Sequence, residues 1–333
     1  MKIGIVACTD GGRKLGRRIA GQLPGSSLLE AESSIRAALK LAWHSCDAVV
    51  CIMASGIVVR TLAPLMQDKR SDPAVLVLDE QGKHVISLLS GHLGGANALA
   101  RQIAAITGGS AVITTASDTL GLVALDLWAA QQHLRCDSNQ VLTKASAKLV
   151  NNGSLALYSE TAIEELPPGL IAVDCEAEAD LLVSHRNIST DKPLLHPANL
   201  VVGIGCNRNT PLEEFEEALA ELFRDAVFSP LAIRNLASID VKNDEEGLLL
   251  FARKNGWPIT FFSRRQINTV TGVSISKAAV KAVGAIGVAE PTALLSAQTS
   301  TLLTRKKKWQ NITMAVAQAP FSLSAQVRDP LNT

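Results

Sequence analysis

Between residues 85 and 107 the chain changes its hydrophobic period across one short turn. Val85-Ile86-Ser87-Leu88-Leu89 is an apolar run of strand length, and Ser90-Gly91-His92-Leu93-Gly94-Gly95 interrupts it. Alanine, leucine and isoleucine then recur at helical spacing to Thr107. A buried strand that enters a helix through a glycine-rich turn fits a sheet whose strands are joined by covering helices. The flanking sequence repeats the alternation. Strands are predicted over 2–8, 47–53, 74–78, 84–89 and 111–114, with a hairpin around Gln81-Gly82. Helices are predicted over 13–23, 32–43, 94–107 and 119–132.

A second unit of this kind starts at Leu200. Strands over 200–204, 233–239, 259–262 and 312–317 alternate with helices over 244–255 and 290–297 and with one opened by Thr210, Pro211 and Glu213, residues that helix starts favour. Between the two units, 154–158, 169–173 and 181–184 read as short strands, and Pro167-Pro168-Gly169 breaks the chain. Residues 185–199, rich in Asn, Ser, Thr, Asp and Pro, read as a linker. The expected fold is therefore α/β and multidomain, with two sheets covered by helices and joined by a small α+β region. The expected divisions are an N-terminal α/β domain over 1–135, a middle domain with its linker over 136–198, a C-terminal α/β domain over 199–318 and an extended tail over 319–333.

Composition narrows the functional classes. Apolar residues make up 47% of the 333, ample for such cores, but aromatics are 4% with a single tyrosine, too few for a base-stacking surface. Lys and Arg number 32 against 31 acids, so no global charge draws the chain to nucleic acid or to an anionic membrane. No uncharged apolar stretch reaches the roughly 18 residues of a spanning helix, and the first apolar run is too short for a secretory signal. The six cysteines, Cys8, Cys46, Cys51, Cys136, Cys175 and Cys206, lack paired spacing and mostly lie in or beside apolar segments, as reduced core thiols do. The expected compartment is the cytoplasm. No histidine pair has metal-ligand spacing, and Gly-x-Ser-x-Gly, His-Glu-x-x-His, Cys-x-x-Cys and a phosphate-loop lysine are all missing from the sequence. Arg305-Lys306-Lys307-Lys308 reads as a solvated turn.

What remains is a set of strand-end turns able to receive anions on unpaired backbone amides. Ser90, Gly91, Gly94, Gly95 and Asn97 surround His92, which adds a group able to move protons near neutral pH. Ser55, Gly56 and Arg60 form a second Ser-Gly turn, followed by Lys69, Arg70 and Asp72. If the C-termini of the strands share one edge, the two turns share a crevice. Cys8-Thr9-Asp10-Gly11-Gly12-Arg13 is a third such turn, weakened as an anion site by Asp10. Gly203-Ile204-Gly205-Cys206-Asn207-Arg208 opens like a dinucleotide fingerprint, but Arg208 takes the place of the third glycine, which argues against a nicotinamide or flavin. Strand alternation puts Ser238, Asp240 and Lys242 on one face. Glu290, between apolar flanks, is a helix cap or an acid with a raised pKa. Each has a plainer explanation too: an ordinary turn, a solvated charge or a structural ion pair.

The pieces Ala54-Ser55-Gly56-Ile57-Val58-Val59-Arg60, Ala63-Pro64-Leu65 with Lys69, Asp72-Pro73-Ala74-Val75, Asp79-Glu80, Ile86-Ser87-Leu88-Leu89-Ser90-Gly91-His92-Leu93-Gly94-Gly95-Ala96-Asn97 and Ile113-Thr114-Thr115-Ala116 stand in a characteristic order. Further on come Gly203-Ile204-Gly205-Cys206, Ala237-Ser238-Ile239-Asp240-Val241-Lys242 with Glu246-Gly247-Leu248, Val288-Ala289-Glu290 and Thr313-Met314-Ala315-Val316-Ala317. Together they resemble the cobalt-precorrin-5A hydrolases of anaerobic cobalamin biosynthesis, over nearly the whole chain and most weakly over 136–198. Pro291, Thr292 and the extra positive charge at 305–308 depart from the pattern.

The resemblance implies a hydrolase that opens the δ-lactone of a cobalt-bound contracted tetrapyrrole and releases the methylated bridge carbon as acetaldehyde, giving cobalt-precorrin-5B. For that reaction the expected base is His92, the expected oxyanion donors are the amides around Gly91, Gly94 and Gly95 with Ser90 or Ser55, and Glu290 or Asp240 is expected to assist the second step while Lys242 places a side-chain carboxylate. Ser55, Gly56, Arg60, Lys69, Ser90, Gly91, Gly94, Gly95, Asn97, Thr114, Thr115, Gly205, Cys206, Arg208, Ser238 and Lys242 would hold a polycarboxylate macrocycle. Cobalt would enter with the substrate, with no cofactor or metal site of the protein's own. The implied partner is this small molecule, not nucleic acid or membrane, with room for a homodimer and for transient contact with neighbouring pathway methyltransferases. The rival readings are another enzyme of the same pathway, a methyltransferase or ligase, and a non-catalytic carrier of a cobalt-tetrapyrrole.

Overall fold

The computed structural model describes residues 1–29, 34–68 and 71–325. The described residues divide into two compact units, 1–131 with 149–153, and 132–148 with 154–325. No described helix is long and apolar enough to cross a membrane.

The first unit is built on β1 (Ile3–Ala7), β2 (Ser26–Leu28), β3 (Ala48–Ile52), β4 (Ala74–Leu78), β5 (His84–Leu89) and β6 (Ser110–Val112), in the order β2-β1-β3-β4-β5-β6. Its helices are α1 (Asp10–Ala20), α2 (Ile35–Ser45), α3 (Ser55–Leu62), α4 (Ala96–Thr107), α5 (Ala116–Thr119) and α6 (Leu125–Gln131). Ile3, Ile5 and Ala7 point to one face, where α1 and α4 pack through Leu15, Ile19, Leu99 and Ile103. Val6, Val49 and Cys51 point to the other, against Leu39 and Trp43 of α2 and Val58 and Leu62 of α3. Burial on both faces is why these strands read as unbroken apolar runs.

Strand direction corrects one expectation. β1 to β4 are parallel, but β5 runs antiparallel to β4 and β6 runs parallel to β5. The expected hairpin is present, and it reverses the rest of the sheet. The turn after β5 therefore lies at the edge where β4 begins, and the turn after β3 at the opposite edge. Ser55-Gly56 and Ser90-Gly91 do not share a crevice. The helix expected over 119–132 begins late, as α6 at Leu125, because α5 closes at Thr119 and a turn around Gly121 follows it.

In the second unit a parallel sheet with an antiparallel edge precedes a mixed one. The first comprises β7 (Leu134–Arg135), β8 (Leu155–Ser159), β10 (Leu170–Ala172), β11 (Leu181–Val183) and β12 (Leu194–Pro197), in the order β10-β8-β11-β12-β7, and the short β9 (Ala162–Ile163) lies outside it. Helix α7 (Asn139–Asn152) follows β7 in the chain. β12 falls within the expected linker: Leu194-Leu195-His196-Pro197 is fully buried but too short to show a period. The second sheet has β13 (Leu200–Cys206), β14 (Ile233–Ile239), β15 (Ile259–Phe262), β16 (Leu302–Lys308) and β17 (Ile312–Gln318), in the order β15-β14-β13-β17-β16. Its helices are α8 (Leu212–Ala226), α9 (Glu246–Asn255), α10 (Arg264–Ile267), α11 (Lys277–Val283) and α12 (Ala289–Ala297). The basic run expected as a solvated turn is the end of β16, an edge strand, where lysines discourage unwanted pairing. β18 (Ser322–Leu323), inside the expected tail, pairs with β9.

Leu200, Val202 and Ile204 of β13 face α8 and α9, while Val201 faces α12 with Ala293, Leu294 and Ala297. Gly203 shares the α12 face. A Cβ there would lie 1.9 Å from the Ala289 carbonyl oxygen and 2.7 Å from the Ala293 nitrogen. The glycine lets α12 rest directly on the strand. The Gly-x-Gly of this segment is thus a packing device inside a strand, which accounts for its failure as a dinucleotide turn. Gly203→Ala should lower the unfolding free energy by about 1–3 kcal/mol, the usual cost of overpacking. Urea titration at unchanged m value is the check; wild-type stability would show that α12 does not rest on this position.

Candidate functional site

The turn after β5 is fixed by local sterics. Gly95 takes φ +83 to start α4, and a Cβ on Gly94 would come 2.4 Å from the Ser90 Cβ. Ser90 itself has φ +55, and its hydroxyl donates to the Asp72 carbonyl at 2.9 Å, tying the turn to the chain just before β4. The amides of Gly95, Ala96 and Asn97 are consumed by carbonyls of the same turn. Those of Gly91, His92, Leu93 and Gly94 have no hydrogen-bond partner among the described residues.

His92 sits between two carboxylates. Its Nε2 is 2.9 Å from Asp118 Oδ2 and its Nδ1 3.3 Å from Asp126 Oδ1, and all three side chains are at most 20% exposed. The Asp126 hydrogen bond outweighs the opposing effect of burial, and with help from Asp118 it raises the His92 pKa. With an acceptor at each ring nitrogen, the doubly protonated imidazolium is the favoured form.

Asp118 is the hub of the cluster. It accepts from Arg101 Nη2 at 2.5 Å, Thr115 Oγ1 at 2.7 Å and Asn97 Nδ2 at 2.9 Å. Burial pushes its pKa up, but hydrogen bonds from Arg101, Thr115 and His92 outweigh that and hold it at about 2. Asn97 is buried; its amide also donates to Thr115 Oγ1 at 3.0 Å, and its carbonyl accepts from Ser87 Oγ at 2.6 Å.

A cavity of about 360 Å³ opens beside His92, and Ser90, Gly91, Asn97, Thr114, Thr115 and Asp126 are among its lining residues. The sequence-predicted His92, Ser90, Gly91, Asn97, Thr114 and Thr115 are thus brought together. Gly94 and Gly95 shape the turn without lining the cavity. Asp118 and Asp126 were missed. Thr115-Ala116-Ser117-Asp118 has the spacing of a capping motif and offered a hint; nothing in the sequence ties Asp126 to a histidine 34 positions earlier.

Other candidates lie elsewhere. Ser55, Gly56 and Arg60 sit at the opposite edge of this sheet, with the exposed guanidinium folded back so that a Cβ on Gly56 would be 3.1 Å from Arg60 Nη1. Lys69 lies outside the described residues. The Cys8–Arg13 turn is a capped helix start, with Thr9 Oγ1 accepting from Gly12 N at 3.0 Å and Arg13 paired to Asp10.

In the second unit, Gly205, Cys206, Lys242 and Glu290 border a pocket of about 490 Å³. Burial pushes the Cys206 thiol up to about 11, so it is neutral. Ser238 is wholly buried and spends its hydroxyl on the Ile204 carbonyl at 2.7 Å. The expected common face of Ser238, Asp240 and Lys242 does not form, because the strand ends at Ile239 and Asp240–Lys242 is a 3-10 turn. Asp240 does not line the pocket. Arg208 is exposed, with Nη1 2.5 Å from Asp244 Oδ1 and Nη2 donating to the Val241 carbonyl at 2.8 Å.

Glu290 is 2% exposed and accepts from the amides of Ser274 at 2.8 Å and Lys306 at 3.0 Å. Burial pushes its pKa up, yet these two amides prevail and the net shift is downward. The expectation of a raised pKa is corrected: Glu290 is an ionised strut joining α12, β16 and the loop at Ser274. Among the described residues, no group of three or more His, Cys, Asp or Glu side chains is placed to hold a metal ion.

Residues 37–118 match the family Cobalamin synthesis G N-terminal, and residues 200–317 match Cobalamin synthesis G C-terminus. A cobalt-precorrin-5A hydrolase from Priestia megaterium is 35% identical over 309 residues, covering 86% of this chain and 83% of its own. The chain belongs to the cobalt-precorrin-5A hydrolase family. A further cobalt-precorrin-5A hydrolase, from Salmonella typhimurium, is 35% identical over 342 residues, 95% of this chain and 97% of its own. A solved cobalamin biosynthesis protein G homologue from Sulfolobus solfataricus shares 20% identity over 95% of this chain and 97% of that one, with a TM-score of 0.39. This is a family of hydrolases. Its N-terminal match takes in the whole His92 turn and ends at Asp118, and Asp126 falls beyond it.

The cluster makes stability pH-dependent in a defined sense. His92 has a folded pKa above its ordinary 6.5, so its contribution is complete below 6.5 and is lost as pH rises through the folded value. Asp118 is held at about 2 against an ordinary 3.8, so its contribution is complete above 3.8 and is lost as pH falls toward 2. Asp126→Asn should bring the His92 pKa down and weaken the alkaline loss. NMR titration of the His92 ring reads this directly; a wild-type pKa at or below 6.5 would contradict the two-carboxylate arrangement.

Proposed function

We propose that this chain hydrolyses cobalt-precorrin-5A at the His92 cavity, opening its δ-lactone and releasing the extruded, methylated bridge carbon as acetaldehyde to leave cobalt-precorrin-5B. The observation that carries the reading is the imidazole held between Asp118 and Asp126 beside four free turn amides, in a chain of this family. Lactone opening needs an activated water, a cradle for the tetrahedral oxyanion and a proton for the departing oxygen. The amides of Gly91, His92 and Leu93, which line the cavity, form the cradle. Ser90 is not the donor, because its hydroxyl is committed to Asp72. Asp126, on the cavity wall, takes a proton from the attacking water.

His92, cationic at the start, gives its proton to the lactone oxygen as the C–O bond breaks. A carboxylic acid, a hydroxyl and a neutral imidazole result. The imidazole then removes the hydroxyl proton, and the C–C bond to the macrocycle breaks. Its electron pair passes into the conjugated ring, acetaldehyde departs, and the proton on Asp126 is returned to the macrocycle or to solvent. His92 is thus acid first and base second, and the cycle restores its charge.

In this reading cobalt arrives with the substrate and the protein supplies no cofactor. The reaction takes place in the cytoplasm, with neighbouring methyltransferases as transient contacts and a homodimer as the assembly. The test incubates pure protein with cobalt-precorrin-5A and measures acetaldehyde and the mass of the macrocycle. Wild type should release acetaldehyde, and His92→Ala should lose roughly 10²–10⁴ in kcat, the usual weight of a proton-transfer group. Wild-type turnover in His92→Ala would overturn the assignment, and tight binding without acetaldehyde would make the chain a carrier.

A further inference from the structure

The basic run at 305–308 is divided by its strand. β16 carries an irregularity in its pairing with β17 between Thr304 and Lys307, and from there successive side chains go to opposite faces. Lys307 is neutralised, with Nζ 2.6 Å from Glu221 Oε1, 2.5 Å from Asp225 Oδ2 and 5.4 Å from the Trp309 ring centre. Lys306 and Lys308 instead line the pocket of about 490 Å³, and Lys242 enters it from beyond β14.

The pocket is electrostatically unbalanced. Glu290 is the one carboxylate among its lining residues, and it is already saturated by the Ser274 and Lys306 amides. The buried Lys242 has only a long contact, 3.4 Å, to Glu245 Oε2. Lys306 Nζ donates to the Ser274 carbonyl at 3.2 Å, and Lys308 has no carboxylate partner among the described residues. Ala279, Val283 and Val288 supply an apolar wall. Ammonium groups beside an apolar wall suit a carboxylate on a short alkyl arm, whose methylenes and anion are received together.

We infer that this pocket receives acetate and propionate arms of the tetrapyrrole, with Lys242, Lys306 and Lys308 pairing to their carboxylates. The inference rests on the functional reading above and assigns the basic pocket to binding, separate from the chemistry at His92.

Uroporphyrin III, an octacarboxylate tetrapyrrole, is a stable probe. Its Kd for the full chain, read by titrating porphyrin absorbance, should rise about tenfold in Lys308→Ala and in Lys306→Ala, the scale of one charge-assisted hydrogen bond. Lys307→Ala, on the opposite face, should leave it unchanged. Binding should weaken from 50 to 500 mM salt in wild type and less so in Lys308→Ala.

Lys308 is exposed, so its variant keeps the fold, and matching thermal melts confirm that for Lys306→Ala. Wild-type Kd in both variants would overturn the inference even if acetaldehyde is released. If wild type releases none while uroporphyrin binding still depends on the two lysines, the functional reading fails and the pocket assignment stands.

Discussion

A carboxylate taken out of water must be answered by donors or it will not stay ionised. Asp118 is the place where the first unit meets that demand. Arg101 of α4, Thr115 at the start of α5, Asn97 at the start of α4 and His92 of the turn all converge on its two oxygens. None of these residues would hold its position alone. The glycine-rich turn gains a fixed shape because one member of the set, His92, belongs to it. The cavity inherits that shape, and so do the free amides that the proposed reaction uses. Asp126 then completes the enclosure of the imidazole from a different helix, which the break between α5 and α6 makes reachable.

Both pockets arise from one topological event, a strand running against its neighbour. In the first unit Leu89, at the end of β5, pairs with Val75 at the start of β4. In the second, Cys206, at the end of β13, pairs with Ile312 at the start of β17. At each such edge a strand finishes beside one that begins, and the turn leaving the first lies against the segment entering the second. The Ser90 hydrogen bond to Asp72 is a direct instance. In an all-parallel sheet the Ser90 turn would lie beside the turns that follow β1 and β3. Here it has been carried to the far edge, away from Arg60.

Elements buried on both faces were legible. β4 and β14 fall on the residues that their apolar runs mark, because continuous burial leaves a continuous signal. β16 was not legible, since an edge strand carries charge for reasons of its own and its lysines imitate a loop. β12 was too short for a period. The candidate site divides in the same way. The His92 turn announces itself because a turn is local, whereas Asp118 and Asp126 acquire meaning only when two helices fold back on it. Ser238 and Glu290 looked chemical because polar residues in apolar segments attract notice, yet one ties β14 to β13 and the other braces α12. A buried polar group is as often a fastening as a reagent, and the hydrogen-bond partners decide which.

Charge separates the two pockets further. Around the proposed reaction the formal charges of His92 and Arg101 cancel those of Asp118 and Asp126, two against two. A neutral cluster neither repels a polycarboxylate nor binds it firmly, and it can lend and recover a proton without building up net charge in a poorly solvated place. Firm binding of carboxylates needs excess positive charge, and such an excess beside His92 would work against the cation on which the first proton transfer depends. The lysines on β16 and at the end of β14 belong to the other unit's sheet, so each pocket keeps its own balance of charge.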